Sequence, residues 1–329
     1  MKTLYITGLA GFLGNNLLSL IDDDTKIIAL VLEKEKDYPY LQKENIQLIV
    51  GNILNKEDIK RFLSIKGENK YIIHMAGRIS TLKRSDSLTM DINYEGTKNM
   101  VDIANEIGDF KKFIYISSVD SLPKVEHGKE ITEISYYDET KVEGVYSKSK
   151  ALANNYILDN LKNTESVILL PSALFGPNDP TLTPINKAIN KCLNKKLPAI
   201  TEGGYNLVDV RDVAKGIYNS IEKGRDKESY LLGGNYIAVK DLMKRVTNHE
   251  NMKEIKFTVP HFLIKLISPF IELKAKINRK NPLFTGFSMD CLMQNSSYSS
   301  IKAMNELDYS ITPFDQTLED TINYLKARK

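Results

Sequence analysis

Along the first half of the chain, short runs of β-branched and aliphatic residues alternate with stretches whose apolar positions recur at helical spacing. Thr3–Thr7, Lys26–Leu32, Ile46–Val50, Tyr71–Met75, Lys112–Ser117 and Ser166–Leu170 read as strands. Helices are predicted over about Phe12–Ile21, from Lys56 onward, over Leu88–Ile107 and over about Glu143–Leu161. This alternation predicts an α/β fold, a doubly wound parallel sheet with helices on both faces. The first two strands are apolar almost throughout, as strands covered on both sides must be.

The rhythm changes after Pro171. Pro171, Gly176, Pro177, Pro180 and Pro184 crowd into a loop ahead of a helix near Ile185–Asn194. Leu207–Val210 and Tyr230–Leu232 look like short strands, and about Val239 to Arg328 reads as mostly helical. The 329 residues exceed the ~250–300 at which one core stops growing. A smaller, mostly helical C-terminal lobe is therefore expected, built from 171–204 and 236–329. The sheet domain would take 1–170 and about 205–235.

Composition narrows the class. A hydrophobic fraction of 42% with 26% charged residues is ordinary for a folded protein. With 45 basic and 42 acidic residues, a net charge of +3 gives no electrostatic reason to expect a nucleic acid partner. Two cysteines, Cys192 and Cys291, are too few for a disulfide framework and read as free thiols in a reducing cytoplasm. No signal peptide is read ahead of the first strand. The most apolar stretch, Phe257–Leu273, holds two prolines, a lysine and a histidine. It falls short of the ~20 apolar residues of a membrane span. A buried or half-buried helix is expected there, with peripheral membrane contact as the alternative and no stable insertion.

Thr7-Gly8-Leu9-Ala10-Gly11-Phe12-Leu13-Gly14 follows the first strand and opens a helix. Glycines at this spacing let the chain bend tightly, admit a pyrophosphate against the backbone, and pack helix on strand. The helix start then offers free N–H groups to the phosphates. The strand–turn–helix context is what distinguishes this motif from a bare glycine-rich turn. Gly8, Gly11, Phe12, Leu13 and Gly14 are thus dinucleotide-binding candidates within a Rossmann-type domain. At the tip of the second strand, where the adenosine ribose lies in such folds, stand Leu32 and Glu33, followed by Lys34 and Lys36. Glu33 would serve NAD; the lysines would serve NADP.

Tyr146 and Lys150 form Tyr-x-x-x-Lys, one helical turn apart and so on one face. A tyrosine with a free pKa of ~10 exchanges protons poorly at neutral pH, and a neighbouring ammonium lowers that value. Alone, the pair is common on solvated helix faces. Here Ser117-Ser118 ends the fifth strand, His74-Met75-Ala76-Gly77 ends the fourth, and Asn93 with Gly96, Thr97 and Asn99 lies in the helix between.

Together these segments resemble the extended type of the short-chain dehydrogenase/reductase superfamily, the NAD-dependent epimerase/dehydratase family. The TGxxGxxG turn, the HxA turn, the NxxGTxN helix, the ISS-type serine and Tyr-x-x-x-Lys occur in order. The likeness continues in Leu170–Pro177 (with Leu170 for the usual Arg), Val208–Ala214 and Lys302–Tyr309, and so covers nearly the whole chain. It implies that Ser118 bonds the substrate oxygen, Tyr146 exchanges its proton, and Lys150 binds the nicotinamide ribose and tunes Tyr146. It implies that hydride passes between the nicotinamide and the substrate carbon. Asn93 is a further catalytic candidate, against a capping or packing role. Asn52, where the family usually has Asp, would accept a bond from adenine beside Ile53. His74, Ala76, Gly77, Ser117 and Pro171 would line the cofactor. The superfamily likeness leans the cofactor to NADP over NAD, although the Arg usual at Leu32 is absent. By analogy, a homodimer through the helix bearing Tyr146 is an option.

Two reactions compete. A reductase or alcohol dehydrogenase would resemble the dihydroflavonol-reductase and 3β-hydroxysteroid-dehydrogenase branches. A nucleotide-sugar epimerase or dehydratase would need a diphosphate site, typically with an Arg before the Val-x-Asp segment. Gly203-Gly204-Tyr205-Asn206-Leu207 has none, and Val119, not an acid, follows Ser118. The apolar residues of the small lobe, Phe257, Phe262, Leu263, Phe270, Phe284 and Phe287, suit a small or hydrophobic substrate unless they are simply core. The reductase reading is preferred. A nonenzymatic dinucleotide sensor is the reading from another class; such relatives usually lose the Tyr or the Lys.

Overall fold

The structure is a computed structural model and describes residues 1–83, 86–268 and 286–328. The strands are β1 (Thr3–Thr7), β2 (Lys26–Val31), β3 (Ile46–Val50), β4 (Lys70–His74), β5 (Lys112–Ile116), β6 (Glu165–Pro171), β7 (Ala173–Phe175), β8 (Ile200–Thr201), β9 (Gly204–Asp209), β10 (Glu228–Leu232), β11 (Asn235–Ala238) and β12 (Thr258–Val259). The helices are α1 (Phe12–Leu17), α2 (Lys56–Leu63), α3 (Ser87–Met90), α4 (Gly96–Ile107), α5 (Val145–Asn160), α6 (Pro184–Leu193), α7 (Val210–Lys223), α8 (Val239–His249), α9 (described over 261–268), α10 (Gly286–Leu292), α11 (Ile301–Leu307) and α12 (Phe314–Ala327).

Seven strands form the expected parallel sheet in the order β3-β2-β1-β4-β5-β6-β10. Successive side chains part to opposite sides, and the inner strands are buried on both faces while the edge strand β3 is only half-buried. In β1, Leu4 and Ile6 join the core under α1, α7 and α11, while Tyr5 joins the core under α2, α4 and α5. The strand order reverses between β1 and β4, the crevice where such sheets bind ligands. The C-terminal lobe has its own core, in which Phe175, Ile189, Leu242, Val246 and Ile322 bring β7, α6, α8 and α12 together. Both cysteines are free. No helix among the described residues is long and apolar enough to cross a membrane.

Several sequence expectations change. The helix expected over Leu88–Ile107 is interrupted by a π-turn at Asp91–Glu95 between α3 and α4. The helix expected to run to Ile21 ends at Leu17, and α5 starts at Val145 rather than Glu143. The strand at Leu207 lies outside the main sheet, in a three-stranded sheet ordered β11-β9-β7. It stops at Asp209, whose carboxylate accepts the Arg211 N–H at 2.7 Å and caps α7. That helix was left unassigned, although Val210, Val213, Ala214, Ile217 and Ile221 have helical spacing. Phe257 and Phe262, expected in a core or at the site, are exposed to solvent. Phe270, Phe284 and the end of the Phe257–Leu273 stretch lie outside the described residues.

Candidate active site

At the sheet's switch point Thr7 sits level with His74 across the β1–β4 pair. Gly8 turns the chain with φ +76°, and a Cβ there would stand 2.7 Å from the Ala76 nitrogen. A Cβ on Gly14 would stand 2.4 Å from the Leu9 carbonyl oxygen, so the third glycine is needed by the fold of the turn itself. Gly11 is different. A Cβ there meets only the Gly8 oxygen, at 3.3 Å, so its outer side is open to a ligand. Gly11 caps α1 without a side chain. The first-turn amides, those of Phe12, Leu13 and Gly14, have no carbonyl behind them. The Tyr40 hydroxyl donates to the Ala10 oxygen at 2.7 Å and braces the turn.

At the adenosine end, Leu32 follows β2 and is half exposed. The Glu33 carboxylate is paired with Lys36 at 2.5 Å. Asn52 accepts the Leu54 N–H on its side-chain oxygen at 3.0 Å. That oxygen has a second lone pair to offer, so this bond and one from adenine are compatible. The neighbouring Ile53 is buried where a Cβ on Gly96 would touch its side chain, at 2.7 Å.

His74 is fully buried and held at both nitrogens. Nδ1 lies 2.6 Å from the Thr7 hydroxyl and Nε2 lies 3.0 Å from that of Thr97. Thr97 donates its proton to the Asn93 carbonyl, so it accepts from Nε2–H and leaves Nδ1 to accept from Thr7. Burial first, and then the charge of Lys150, push the imidazole pKa down to about 3. His74 is therefore a neutral wall element that ties β4 to β1 and α4, not a proton carrier.

Lys150 is also buried. Its Nζ donates to the Ile116 carbonyl at 2.7 Å and to the Tyr115 hydroxyl at 3.1 Å. Burial pushes it down to about 7. A Cβ on Gly77 would come within 3.4 Å of Nζ, so the glycine keeps that side of the ammonium clear. Tyr146, one turn earlier on α5, is half-buried. Burial raises its phenol well above the usual range and the nearby carboxylate of Asp120 adds to this, while the Ser118 hydroxyl pulls it back. Ser118 accepts the Asp120 N–H at 3.1 Å, and its hydroxyl faces the phenol of Tyr146. Ser118, Tyr146 and Lys150 are thus brought together at the carboxyl end of β5.

Asn93 sits in the π-turn. Its oxygen accepts the Arg78 N–H at 2.8 Å, and its amide donates to the Arg78 carbonyl and the Ser149 hydroxyl at 3.0 Å each. All of these bonds are to protein, so Asn93 positions the Gly77–Arg78 loop against α5. Tyr115, Thr7, Thr97 and Ser149 were not singled out in the sequence as site residues. For Thr7 and Tyr115 the available signal was a hydroxyl at a buried position of a strand, which must find a polar partner.

The residues present fit a dinucleotide. The glycine turn leaves a cradle open at Gly11. The buried hydroxyls of Ser117 and Ser172, just beyond β5 and β6, have no hydrogen-bond partner among the described residues. Both lie at the same end of the sheet as Lys150, Pro171 and Ala76.

A Rossmann-type sheet with a phosphate turn at its switch point, and Ser, Tyr and Lys gathered beside it, defines a dinucleotide-dependent oxidoreductase. Residues 4–233 match the model of the NAD dependent epimerase/dehydratase family, and the chain belongs to that family. It is 26% identical to a dihydroflavonol 4-reductase candidate of Synechocystis sp., over 98% of this chain and 94% of that one. It is 24% identical to the decarboxylating sterol-4-alpha-carboxylate 3-dehydrogenase of Homo sapiens, over 98% and 87%. The crystal structure of gox2253 superposes with a TM-score of 0.83 at 29% identity, covering 99% of this chain and 98% of that one. The chain is an extended short-chain dehydrogenase/reductase enzyme that uses a nicotinamide dinucleotide.

Proposed function

We propose that this enzyme reduces a ketone or aldehyde of a small or hydrophobic substrate, with Tyr146 as its proton donor. The observation that carries the reading is the convergence of Ser118, Tyr146 and Lys150 beside the open glycine turn. Ser118, next to the Tyr146 phenol, turns its hydroxyl to the substrate oxygen when substrate is bound. Tyr146 gives that oxygen a proton as negative charge develops on it. Lys150 holds the nicotinamide ribose with the donor that Ile116 and Tyr115 leave free. The bound nicotinamide supplies the hydride. His74 and Asn93 hold the walls in place and take no part in proton transfer. The named relatives that act on dihydroflavonols and sterol carboxylates support a carbonyl/alcohol reaction over a sugar diphosphate one.

The C-terminal lobe supports an apolar substrate. A cavity between α6, α8 and β9 is lined by Ile185, Ala188, Leu197, Tyr205, Leu242 and Met243, among others, with Lys191 as the charged residue in its lining. We favour NADPH over NADH, because Lys36 already neutralises Glu33 and Lys34 adds a further cation at the ribose end. The test is fluorescence titration of the purified protein with each cofactor, after checking spectroscopically for cofactor already bound. An empty protein that binds NADPH more tightly, then turns over ketones or aldehydes, is expected. Tightly retained NAD would overturn the reductase in favour of an epimerase or dehydratase that recycles its hydride internally. Cofactor binding with no turnover across a broad panel would revive the sensor.

A further inference from the structure

The most apolar stretch of the sequence turns its apolar side outward. In α9, Ile264 and Ser268 face inward, Ile264 packing with Met289 and Leu292 alongside Tyr205 and Val239. The opposite side carries Phe262 at 67% exposure, Leu263 at 39%, Leu266 at 70% and Ile267 at 49%, and Phe257 adds 63% just before β12. At the angular step of an α-helix, the four helix residues fall within about 140° of its circumference and form one stripe. A contiguous apolar stripe in water marks an interaction surface rather than scattered surface residues.

Charge identifies the partner. Lys253 and Lys256 are exposed and have no ion pair with a described residue, while Lys265 is held by Asp290 at 2.8 Å. From Lys253 to Ser268 the chain carries three lysines against one glutamate. An apolar stripe preceded in the chain by the exposed Lys253 and Lys256, unpaired among the described residues, suits the headgroup region of an anionic bilayer. The position also suits it. Phe287 of α10 lies against Gly144, where a Cβ would be 2.6 Å from its ring, two residues from Tyr146. Tyr205, Val239 and Leu292, beneath α9, line the apolar cavity of the lobe.

We propose that α9 and Phe257 dock the enzyme on a negatively charged lipid surface. The helix lies in the plane of the headgroups, with Phe262, Leu263, Leu266 and Ile267 and the preceding Phe257 at the acyl boundary and Lys253 and Lys256, ahead of the helix, against lipid phosphates. That this dock brings an apolar substrate toward Tyr146 rests on the function proposed above; the dock itself does not, and its test involves no turnover. The full-length protein is sedimented with sucrose-loaded vesicles of phosphatidylcholine alone or with one-third phosphatidylserine, at low and high salt. Binding to the serine-containing vesicles, weaker on pure phosphatidylcholine and reduced by salt, is expected. The F262S/L266S variant should bind about tenfold less or worse while its cofactor titration and circular dichroism stay unchanged. Wild-type protein that remains in the supernatant with both vesicles overturns the proposal, as does a double variant that sediments like wild type. Two results name a different occupant and also overturn it. One is a wild-type dimer that the double variant converts to monomer, which identifies a second copy. The other is core-like hydrogen-exchange protection of 262–267 without lipid binding, which identifies the chain's own covering.

Discussion

Lys150 is buried without a carboxylate, and this makes an unusual stability profile. Its pKa falls from 10.5 in the open chain to about 7 in the folded one. Between those values the unfolded chain holds a proton that the folded chain has released, so stability rises with pH across that window. The penalty is full below pH 7 and gone above 10.5. Each pH unit of full difference is worth about 1.4 kcal/mol. Because the folded lysine is still half protonated at pH 7, the gain from pH 7 to 9 is about 2 kcal/mol. Lys150→Met removes the titration and also leaves the Tyr115 hydroxyl and Ile116 carbonyl without their partner. Those lost bonds cost about 1–3 kcal/mol each and offset the removed charge at pH 7. The slope is therefore the informative quantity, more than the absolute stability. Urea unfolding of both proteins without cofactor at pH 7, 8 and 9 should show the wild type gaining about 2 kcal/mol relative to the variant. Cofactor titration at pH 7 should show the variant binding more weakly. Parallel pH profiles would refute the account of Lys150 as a lone buried ammonium, and unchanged cofactor affinity would refute its ribose role.

Two further predictions separate chemistry from architecture. Tyr146→Phe should lower turnover by about 10²–10⁴-fold, the range of lost acid–base catalysis, with cofactor affinity within a few-fold in the fluorescence titration; retained activity would remove Tyr146 from the proton path. The glycines of the turn should divide by role: Gly11→Val abolishes dinucleotide binding in a protein that still melts near the wild-type temperature. Gly14→Ala, forced against the Leu9 carbonyl, loses about 1–3 kcal/mol in urea unfolding, and a reversed pattern would contradict the assignment of Gly11 to the ligand and Gly14 to the fold.

Much of the fold and of the site was legible in the chain. The six strands of the first half were readable because each is a short apolar run between turn signals, with ends misplaced by a residue or so. The turn at Gly8–Gly14 and the Tyr146–Lys150 pair were readable because both are local: their geometry is set by residues within one turn or one helical repeat. The helix α7 was equally local and was passed over, as its spacing shows. Less legible was the π-turn at Asp91–Glu95. Periodicity across Leu88–Ile107 is that of a continuous helix, and the break goes with the bonds of Asn93 to Arg78 and Ser149, 15 and 56 residues away.

By itself, then, the sequence determined the order of strands and helices, the phosphate turn, the spacing of the proton-handling pair and the family. The tertiary structure decided what surrounds them. It turned His74 into a neutral wall by sealing it between Thr7 and Thr97, and buried Lys150 against Tyr115 and Ile116 with no anion. It decided which side of the half-buried helix at 261–268 faces solvent, setting Phe262 and Leu266 outward and Ile264 inward. Hydrophobic spacing tells which residues share a face, but the partner of that face is chosen by segments distant in the chain, through packing and desolvation that no local pattern encodes.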